Sequence, residues 1–273
     1  GKNNYQQDNE FIFVGREELD LSSESSISHY FDSNDRFDVI INCAAYTAVD
    51  KAEEEQELAN QVNHLAVKQL AEISKAQHTK LIHISTDYVF DGESDKPYLE
   101  SDTPNPINVY GKTKLAGEKT LQAIMSTNAI IIRTSWVYSE FNNNFVKTML
   151  RLGQERNELN VVSDQIGSPT YATDLAEVIL KIISNKNYQN KEQSTEVYHY
   201  SNEGEISWYD FAKEIFKIAK INCKVNPITT QQYTTPAKRP KNTLMNKDKI
   251  AETFNFQMVK WKNSSSNCLN QLG

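Results

Sequence analysis

The chain reads DVIINCAAY at residues 38–46, EEEQELANQVNHLAVKQLAEISKAQ at 53–77 and KLIHIST at 80–86. The first and third stretches are short and carry near-continuous apolar runs at their centres, as strands do when helices cover both faces of a parallel sheet. In the middle stretch, apolar residues recur near helical spacing at Leu58, Val62, Leu65, Val67, Leu70 and Ile73. A strand, a helix and a second strand in succession predict a parallel crossover unit.

The same alternation continues on both sides of this unit. Strand-like runs occur at 11–15 (FIFVG), 129–138 (AIIIRTSWVY) and 196–202 (EVYHYSN), and a helix-like run occurs at 109–125. Strands alternating with helices predict an α/β fold with a doubly wound parallel sheet. The later part of the chain has a different pattern, with a helix at 207–220 and a Pro- and Lys-bearing stretch at 234–246 (TTPAKRPKNTLMN). We therefore predict a sheet domain of residues 1–140 and 171–203 and a smaller α/β lobe of residues 141–170 and 204–273.

The composition is that of a globular protein with a sizeable core. Of the 273 residues, 38% are hydrophobic and 24% are charged. The net charge of −7 argues against a nucleic acid polymer as the main partner, because such a partner requires a basic surface. No apolar run approaches the about 18 residues of a membrane span, and the first ten residues lack the pattern of a signal peptide. We expect a cytoplasmic protein without membrane contact.

A glycine-rich loop is absent from the sequence. A doubly wound fold that binds a dinucleotide normally opens with a strand and a glycine-rich turn, because only glycine lets the backbone approach the pyrophosphate closely. The nine glycines contain no GxGxxG or GxxGxxG, and residues 11–15 resemble the second strand of such a fold. We expect a first strand and phosphate loop of about 20 residues to precede Gly1. The alternative is a fold that begins here and binds no dinucleotide.

The cysteines and histidines show no pattern of a disulfide framework or a metal site. The three cysteines are far apart, and the five histidines lack HExxH or a comparable spacing. We expect these residues to be ordinary core, helix or strand residues, and the sequence assigns no metal ligand.

Tyr110 and Lys114 are the strongest catalytic candidates. Their spacing of four within a helical segment places both side chains on one helix face. A phenol is a weak acid near neutral pH, but a neighbouring ammonium stabilises the phenolate and so assists proton transfer. The strand at 80–86 ends in Ser85 and Thr86, and the carboxyl end of a parallel strand faces the crevice in which ligands bind. Thr86 is therefore expected to meet Tyr110 and Lys114 in one site.

Six segments together resemble the dTDP-4-dehydrorhamnose reductases of the extended short-chain dehydrogenase/reductase superfamily, which have a Rossmann-like fold. The resemblance runs from about residue 10 to the end of the chain. Its segments are NCAAYTAVDKAE (42–53), HISTDYVFDG (83–92), NVYGKTKLAGE (108–118), RTSWVYS (133–139), NNFVKTMLRLG (143–153) and DQIGSPTYATDLA (164–176).

The resemblance implies an NADPH-dependent reduction of the 4-keto group of dTDP-4-dehydro-L-rhamnose to dTDP-L-rhamnose, a polysaccharide precursor. Tyr110 matches the residue that donates a proton to the developing alkoxide. Lys114 matches the residue that lowers the pKa of this tyrosine and holds the nicotinamide ribose. Thr86 matches the hydroxyl that hydrogen-bonds the same substrate oxygen. The sheet domain would then bind NADP and the smaller lobe the sugar nucleotide.

The resemblance also implies further binding residues. The positions matching cofactor contacts, besides Tyr110 and Lys114, are Asp20, Leu21, Ala44, Ala45, Thr47 and Asn63. The positions matching substrate contacts, besides Thr86, are Asp87, Tyr88, Trp136, Asn144 and Arg239. On composition alone, Trp136 is also consistent with a core aromatic residue, and Arg239 with a surface charge.

Cofactor choice depends on the segment after residues 11–15. Arg16 favours the 2′-phosphate of NADPH, whereas the adjacent Glu17 and Glu18 leave NADH open. Members of the resembled family can also form a homodimer through Mg²⁺ held by glutamates, and no residue here is assigned to that role.

Two other classes of function are consistent with parts of this pattern. A sugar-nucleotide dehydratase or epimerase shares the fold, but the dehydratases carry Asp-Glu after the threonine, and here Thr86 and Asp87 are followed by Tyr88. A noncatalytic NADP-binding regulatory subunit, similar to that of methionine adenosyltransferase, shares much of the motif set. Turnover of a keto-sugar nucleotide separates a reductase from such a subunit, whereas cofactor binding alone does not.

Overall fold

The structure is a computed structural model and describes residues 9–190 and 192–272. Its strands are β1 (Val39–Asn42), β2 (Lys80–Thr86), β3 (Ala129–Thr134), β4 (Val137–Tyr138), β5 (Glu158–Val162), β6 (Ile166–Gly167), β7 (Thr170–Tyr171), β8 (Glu196–His199), β9 (Ile206–Ser207) and β10 (Lys224–Ile228). Its α-helices are α1 (Glu24–Ser33), α2 (Val49–Ala52), α3 (Gln56–Asn60), α4 (Ala66–Ala76), α5 (Val109–Ile124), α6 (Phe145–Glu155), α7 (Ala172–Ile183), α8 (Lys186–Asn190), α9 (Trp208–Ala219), α10 (Asp248–Phe254) and α11 (Trp261–Leu272).

The central sheet has four strands in the order β1-β2-β3-β8, and all of them are parallel. Every residue of β3 is buried, which explains its continuous apolar run. The prediction of a doubly wound parallel α/β sheet is therefore confirmed. Strand β2 spans the whole of its predicted run, whereas the run at 129–138 is divided between β3 and β4.

The prediction of a strand at residues 11–15 is wrong for this structure. No strand of the described chain pairs with this segment, and a strand exists only through hydrogen bonds to a neighbour. Its apolar side chains are consequently left in solvent, with Phe13 92% exposed and Ile12 58% exposed. Of the predicted domain ranges, residues 1–8, 191 and 273 lie outside the described residues.

The predicted helix at 53–77 is built from several pieces, whereas the one at 109–125 is a single helix. Between α3 and α4 lies a π-helical turn, Gln61–Leu65. Such turns often occur at functional sites, since the extra residue redirects one side chain. The longer helix α5 begins after Asn108, whose side-chain oxygen accepts a hydrogen bond from the backbone N–H of Gly111 at 2.8 Å.

The later part of the chain forms its own apolar cluster. Strand β10 pairs in parallel with β5, and helices α6 and α9 pack together beside them. Phe211 and Ile215 of α9 are fully buried in this cluster, and Trp261 of α11 is buried beside them. Two further clusters cover the sheet, one with α7 and one with α1 and α4. The exact boundaries between sheet domain and lobe stay a prediction.

A buried ion pair joins α5 to the sheet. Glu118 of α5 and Arg133 of β3 have side chains that are 1% and 5% exposed, and Arg133 Nη2 lies 2.7 Å from Glu118 Oε2. Arg133 Nε donates a second bond at 3.1 Å to Glu118 Oε1, which also accepts a 2.5 Å bond from the Ser85 hydroxyl of β2. Buried charges are stable only when paired in this way. The pair therefore fixes α5 over β2 and β3.

All three cysteines are free, with Cys43 exposed and Cys223 and Cys268 buried. Among the described residues, no helix is both long enough and apolar enough to cross a membrane.

Gly117 provides a test of the close packing between α5 and the π-helical turn. A Cβ added at Gly117 would clash with the backbone carbonyl oxygen of Asn63. Although alanine is the better helix former, we expect Gly117→Ala to lower the free energy of unfolding by about 1–3 kcal/mol, as overpacking does. Chemical denaturation measures the change. Gln122→Ala, at an exposed position of the same helix, is the control and should stay within about 0.5 kcal/mol of the parent. A stabilised Gly117→Ala protein would contradict this packing.

Candidate active site

The predicted catalytic residues meet at the carboxyl ends of β1 and β2, beside the first turns of α5. This edge is where ligands bind in open parallel sheets. Thr86 is the last residue of β2, while Tyr110 and Lys114 lie on α5. Helix α5 contacts both β2 and the short turn that follows it. The structure thus brings the three residues into one region, as the sequence predicts.

Tyr110 is half-buried and packs edge-to-face against Tyr88, with ring centroids 5.8 Å apart. Burial raises the pKa of Tyr110 to about 12, while a hydrogen bond with Thr86 opposes the rise and the charge of Asp87 adds to it. Tyr110 is therefore protonated at neutral pH. The lowered tyrosine pKa expected from a neighbouring lysine is not present in this arrangement.

Lys114 is buried, with 1% of its surface exposed. Its amine donates a 2.7 Å hydrogen bond to the backbone carbonyl of Ile84 and lies 3.3 Å from Nε2 of His83. Burial lowers the pKa of Lys114 to about 8, although Glu118 and Cys43 oppose the shift. The amine is directed toward β2, which explains why it does not lower the pKa of Tyr110 here.

Thr86 and Asp87 form a rigid corner after β2. The Thr86 hydroxyl donates to Asp87 Oδ1 at 3.0 Å and accepts from the backbone N–H of Tyr88 at 3.1 Å, which caps the 3₁₀ turn Asp87–Val89. Asp87 is 2% exposed. Burial raises the pKa of Asp87 to about 6, with hydrogen bonds from Thr243 and Thr86 acting against the rise. The corner thus presents a hydroxyl and a carboxyl group beside Tyr110.

The loop after β1 is exposed to solvent, and hydrogen bonds from the buried side chain of Asn63 hold its backbone in place. Ala44 and Thr47 are exposed, and Ala45 is partly exposed. Asn63 is 1% exposed; its side chain accepts from the Tyr46 N–H at 2.8 Å and donates to the Tyr46 carbonyl at 3.1 Å. Its remaining N–H donates to Thr113 at 3.2 Å. Asn63 therefore supports the loop, and its amide is not free to contact a cofactor directly.

The predicted adenine and 2′-phosphate contacts lie in a turn before α1. The Arg16 side chain is 78% exposed and lies 3.5 Å from Asp20. Hydrogen bonds from Ser22 lower the pKa of Asp20, so this carboxylate is charged and shapes the turn. Leu21 is 8% exposed and packs in the apolar cluster with Ile27, which leaves little of it for a ligand. Of these three residues, Arg16 is the most accessible.

Trp136 has a positive φ of 49° and stacks on Trp208, with ring centroids 3.5 Å apart and planes 12° from parallel. The ring is partly exposed. One of its faces is therefore taken by Trp208 of the lobe, and only the remaining surface is available to a sugar.

Asn144 and Arg239 have structural partners that the sequence did not indicate. Asn144 caps α6, accepting from the N–H of Lys147 at 3.2 Å and donating to the Ser139 carbonyl at 2.7 Å. The Arg239 guanidinium forms two bonds to Asp50, at 3.0 and 2.7 Å. This ion pair links the Pro- and Lys-bearing segment to α2, so Arg239 is not a free surface charge.

Sequence reasoning missed several buried polar residues around the site. They are Asn42, which ends β1, His83 and Ser85 on β2, Glu118 on α5 and Arg133 on β3. The available signal was the position of Glu118, four residues after Lys114 and hence on the same helix face. Within residues 9–190 and 192–272, no group of three or more His, Cys, Asp or Glu side chains could hold a metal ion. Mg²⁺, which the resemblance allows without assigning ligands, thus has no such ligand group among these residues.

Comparison with known proteins identifies the family. The family model for the RmlD substrate binding domain matches residues 2–273. The dTDP-4-dehydrorhamnose reductase of Sinorhizobium fredii is 41% identical over 262 residues, covering 94% of this chain and 88% of the relative.

Solved structures agree with this assignment. The dTDP-4-dehydrorhamnose reductase of Clostridium acetobutylicum is 40% identical with a TM-score of 0.91, covering 98% of this chain and 92% of that one. The Bacillus anthracis enzyme, solved in complex with NADP, is 39% identical with a TM-score of 0.88, covering 94% and 89%. The sequence prediction of the family is confirmed: the chain belongs to the dTDP-4-dehydrorhamnose reductase (RmlD) family.

Proposed function

We propose that this protein is an oxidoreductase that uses NADPH to reduce the 4-keto group of dTDP-4-dehydro-L-rhamnose, giving dTDP-L-rhamnose. The observation that carries the proposal is the meeting of Tyr110, Thr86 and buried Lys114 at the carboxyl ends of β1 and β2. Family membership supports the substrate and the reaction. The predicted cytoplasmic location and homodimer stay predictions.

The residues at the sheet edge fit a dinucleotide. The small side chains of Ala44 and Thr47 leave the backbone after β1 accessible, as close approach of a flat cofactor requires. Lys114 lies behind this loop and would reach the nicotinamide ribose, and the exposed Arg16 cation would pair with a 2′-phosphate. NADPH, when bound, supplies the hydride that reaches the keto carbon. The NADP complex of the Bacillus anthracis relative supports this choice of cofactor.

Tyr110 is the proton donor in this proposal. Its pKa of about 12 keeps the phenol protonated until an oxygen with greater proton affinity lies next to it. A developing alkoxide is such an oxygen, and Tyr110 donates its proton to it as the keto group is reduced. The Thr86 hydroxyl donates its single proton to Asp87 in this structure and accepts from Tyr88. With substrate bound, it would turn this proton from Asp87 to the same oxygen.

The smaller lobe, residues 141–170 and 204–273, would hold the nucleotide sugar. Trp136 sits where the sheet domain and the lobe meet, stacked on Trp208. The Arg239–Asp50 ion pair holds the lobe segment close to α2. We infer that Arg239 acts mainly by positioning this segment, since its guanidinium is already paired, and that Asn144 acts through the cap of α6.

The test of this function is oxidation of NADPH with dTDP-4-dehydro-L-rhamnose as the substrate, followed by identification of the sugar product. We expect stoichiometric oxidation and formation of dTDP-L-rhamnose. Binding of NADPH without turnover would instead indicate a noncatalytic cofactor-binding subunit. Loss of water from the sugar would indicate a dehydratase.

Removal of the Tyr110 hydroxyl should affect turnover rather than binding. In Tyr110→Phe the proton donor is lost while the ring remains, so kcat should fall by about 10²–10⁴-fold with little change in the substrate Kd. Stopped-flow kinetics and titration calorimetry measure the two quantities. Tyr209→Phe, on the partly exposed surface of α9, is the matched control and should keep the parental kcat. An unchanged kcat in Tyr110→Phe would remove the residue from this role.

The pKa of Lys114 predicts a pH dependence. With substrate and cofactor bound, a charged Lys114 would stabilise the negative charge left on Tyr110, a contact that the arrangement described above does not make. The pKa of Lys114 is about 8. The charge is present below this pH and is lost as the pH rises through it, so kcat should decline on the alkaline side with a midpoint near that value. In Lys114→Met, kcat should be low and this decline should disappear. The parental decline persisting in Lys114→Met would assign it to another group.

A further inference from the structure

A chain of buried hydrogen bonds runs from the loop after β1 to the amine of Lys114. The register of β1 and β2 places Asn42 directly beside His83. Asn42 Nδ2 lies 3.1 Å from His83 Nδ1, and His83 Nε2 lies 3.3 Å from Lys114 Nζ. At the other end, the backbone N–H of Ala44 donates to Asn42 Oδ1 at 3.1 Å. Asn42 is 5% exposed, and His83 is fully buried.

The donor and the acceptor of each bond follow from the bond between Ala44 and Asn42. A backbone N–H can only donate, so the oxygen of Asn42 must face Ala44 and its NH₂ group must face His83. An NH₂ group also only donates, so His83 Nδ1 must accept. Burial, with the nearby Lys114, lowers the pKa of His83 well below its ordinary value, and the ring is therefore neutral. A neutral ring carries one proton, which must then be on Nε2.

This tautomer directs an N–H at the amine of Lys114. An ammonium group has three donors and no lone pair, so it cannot accept this hydrogen bond, whereas a neutral amine can. The amine keeps one bond as a donor, to the carbonyl of Ile84. We propose that Asn42 fixes the tautomer of His83, and that His83 thereby positions the Lys114 amine and weakens its hold on its proton.

The other groups around Lys114 either favour its charged form or carry no charge. Glu118, one turn further along α5, and Cys43, after β1, both favour the charged lysine, and burial outweighs them in lowering its pKa. Tyr110, on the same helix face, is protonated and carries no charge. His83 is thus the titratable group of β2 that contacts the amine, and it does so as a donor.

The inference gives His83 a positioning role in the proposed reaction, and this role rests on the proposed function. In that function the positive charge of Lys114 is the active form. By disfavouring the ammonium, His83 would set the pH at which this charge is lost, and with it the alkaline limit of turnover.

The direct test is NMR of the full-length protein, which needs no substrate. Long-range ¹H–¹⁵N correlation of the His83 ring at neutral pH should show a neutral ring protonated on Nε2. A ring protonated on Nδ1, or a charged ring, would overturn the proposal. Because this measurement uses the unaltered protein, it decides the question even where a variant does not fold.

A second test follows the titration of Lys114, assigned by loss of its signal in Lys114→Met. In His83→Gln, an amide oxygen replaces the N–H near the amine, and the lysine pKa should rise by about 1 unit or more; the alkaline decline of kcat should move upward with it. His64→Gln is the matched control. It removes a histidine that contacts Thr120 of α5, the helix that carries Lys114, and it should leave the pKa of Lys114 unchanged. An unchanged Lys114 titration in His83→Gln would overturn the proposal. Absence of turnover with these NMR results intact would contradict the proposed function alone.

Discussion

The buried ion pair between Glu118 and Arg133 is the interaction on which the geometry of the site depends. Both side chains are almost fully removed from solvent, and their oxygen and nitrogen atoms are matched to each other and to the Ser85 hydroxyl. Separation of two such charges inside a protein costs several kcal/mol, since each would remain desolvated without a partner. Helix α5 therefore has one favourable position over β2 and β3, and the residues of its first turns are fixed with it.

The consequence is a site assembled by contacts in the protein interior. With α5 in place, Tyr110 lies beside the corner formed by Thr86, and Lys114 reaches the carbonyl of Ile84. His83 and Ser85 are two residues apart on β2 and therefore lie on the same face of the strand. His83 contacts Lys114 and Ser85 contacts Glu118, and these two partners are one helical turn apart on α5. Polar groups on one strand face thus match polar groups on one helix face. This arrangement keeps the reacting side chains in place before any ligand binds.

The sequence predicted the features that local pattern controls. Apolar runs alternating with helical spacing gave the parallel sheet, and the four-residue interval of Tyr110 and Lys114 placed them on one helix face. The prediction of a strand at 11–15 is wrong because a strand needs a pairing partner. A local sequence pattern does not show whether such a partner is present. The pairing of Arg239 with Asp50 and the neutral, donor state of His83 also depend on contacts between distant segments. Contacts of this kind change the pairing or the protonation of a side chain, but they produce no pattern in the residues next to it in the sequence.

A double-mutant cycle on Glu118→Leu and Arg133→Met tests the central constraint most directly. Each single variant leaves one buried charge unpaired and should lower the free energy of unfolding by about 3–5 kcal/mol. The double variant leaves no charge and should lose far less than the sum of the two, with a coupling of about 2 kcal/mol or more. Effects that add to within about 0.5 kcal/mol would mean that the two residues act independently, and would contradict the view that their pairing holds α5 and the site in place.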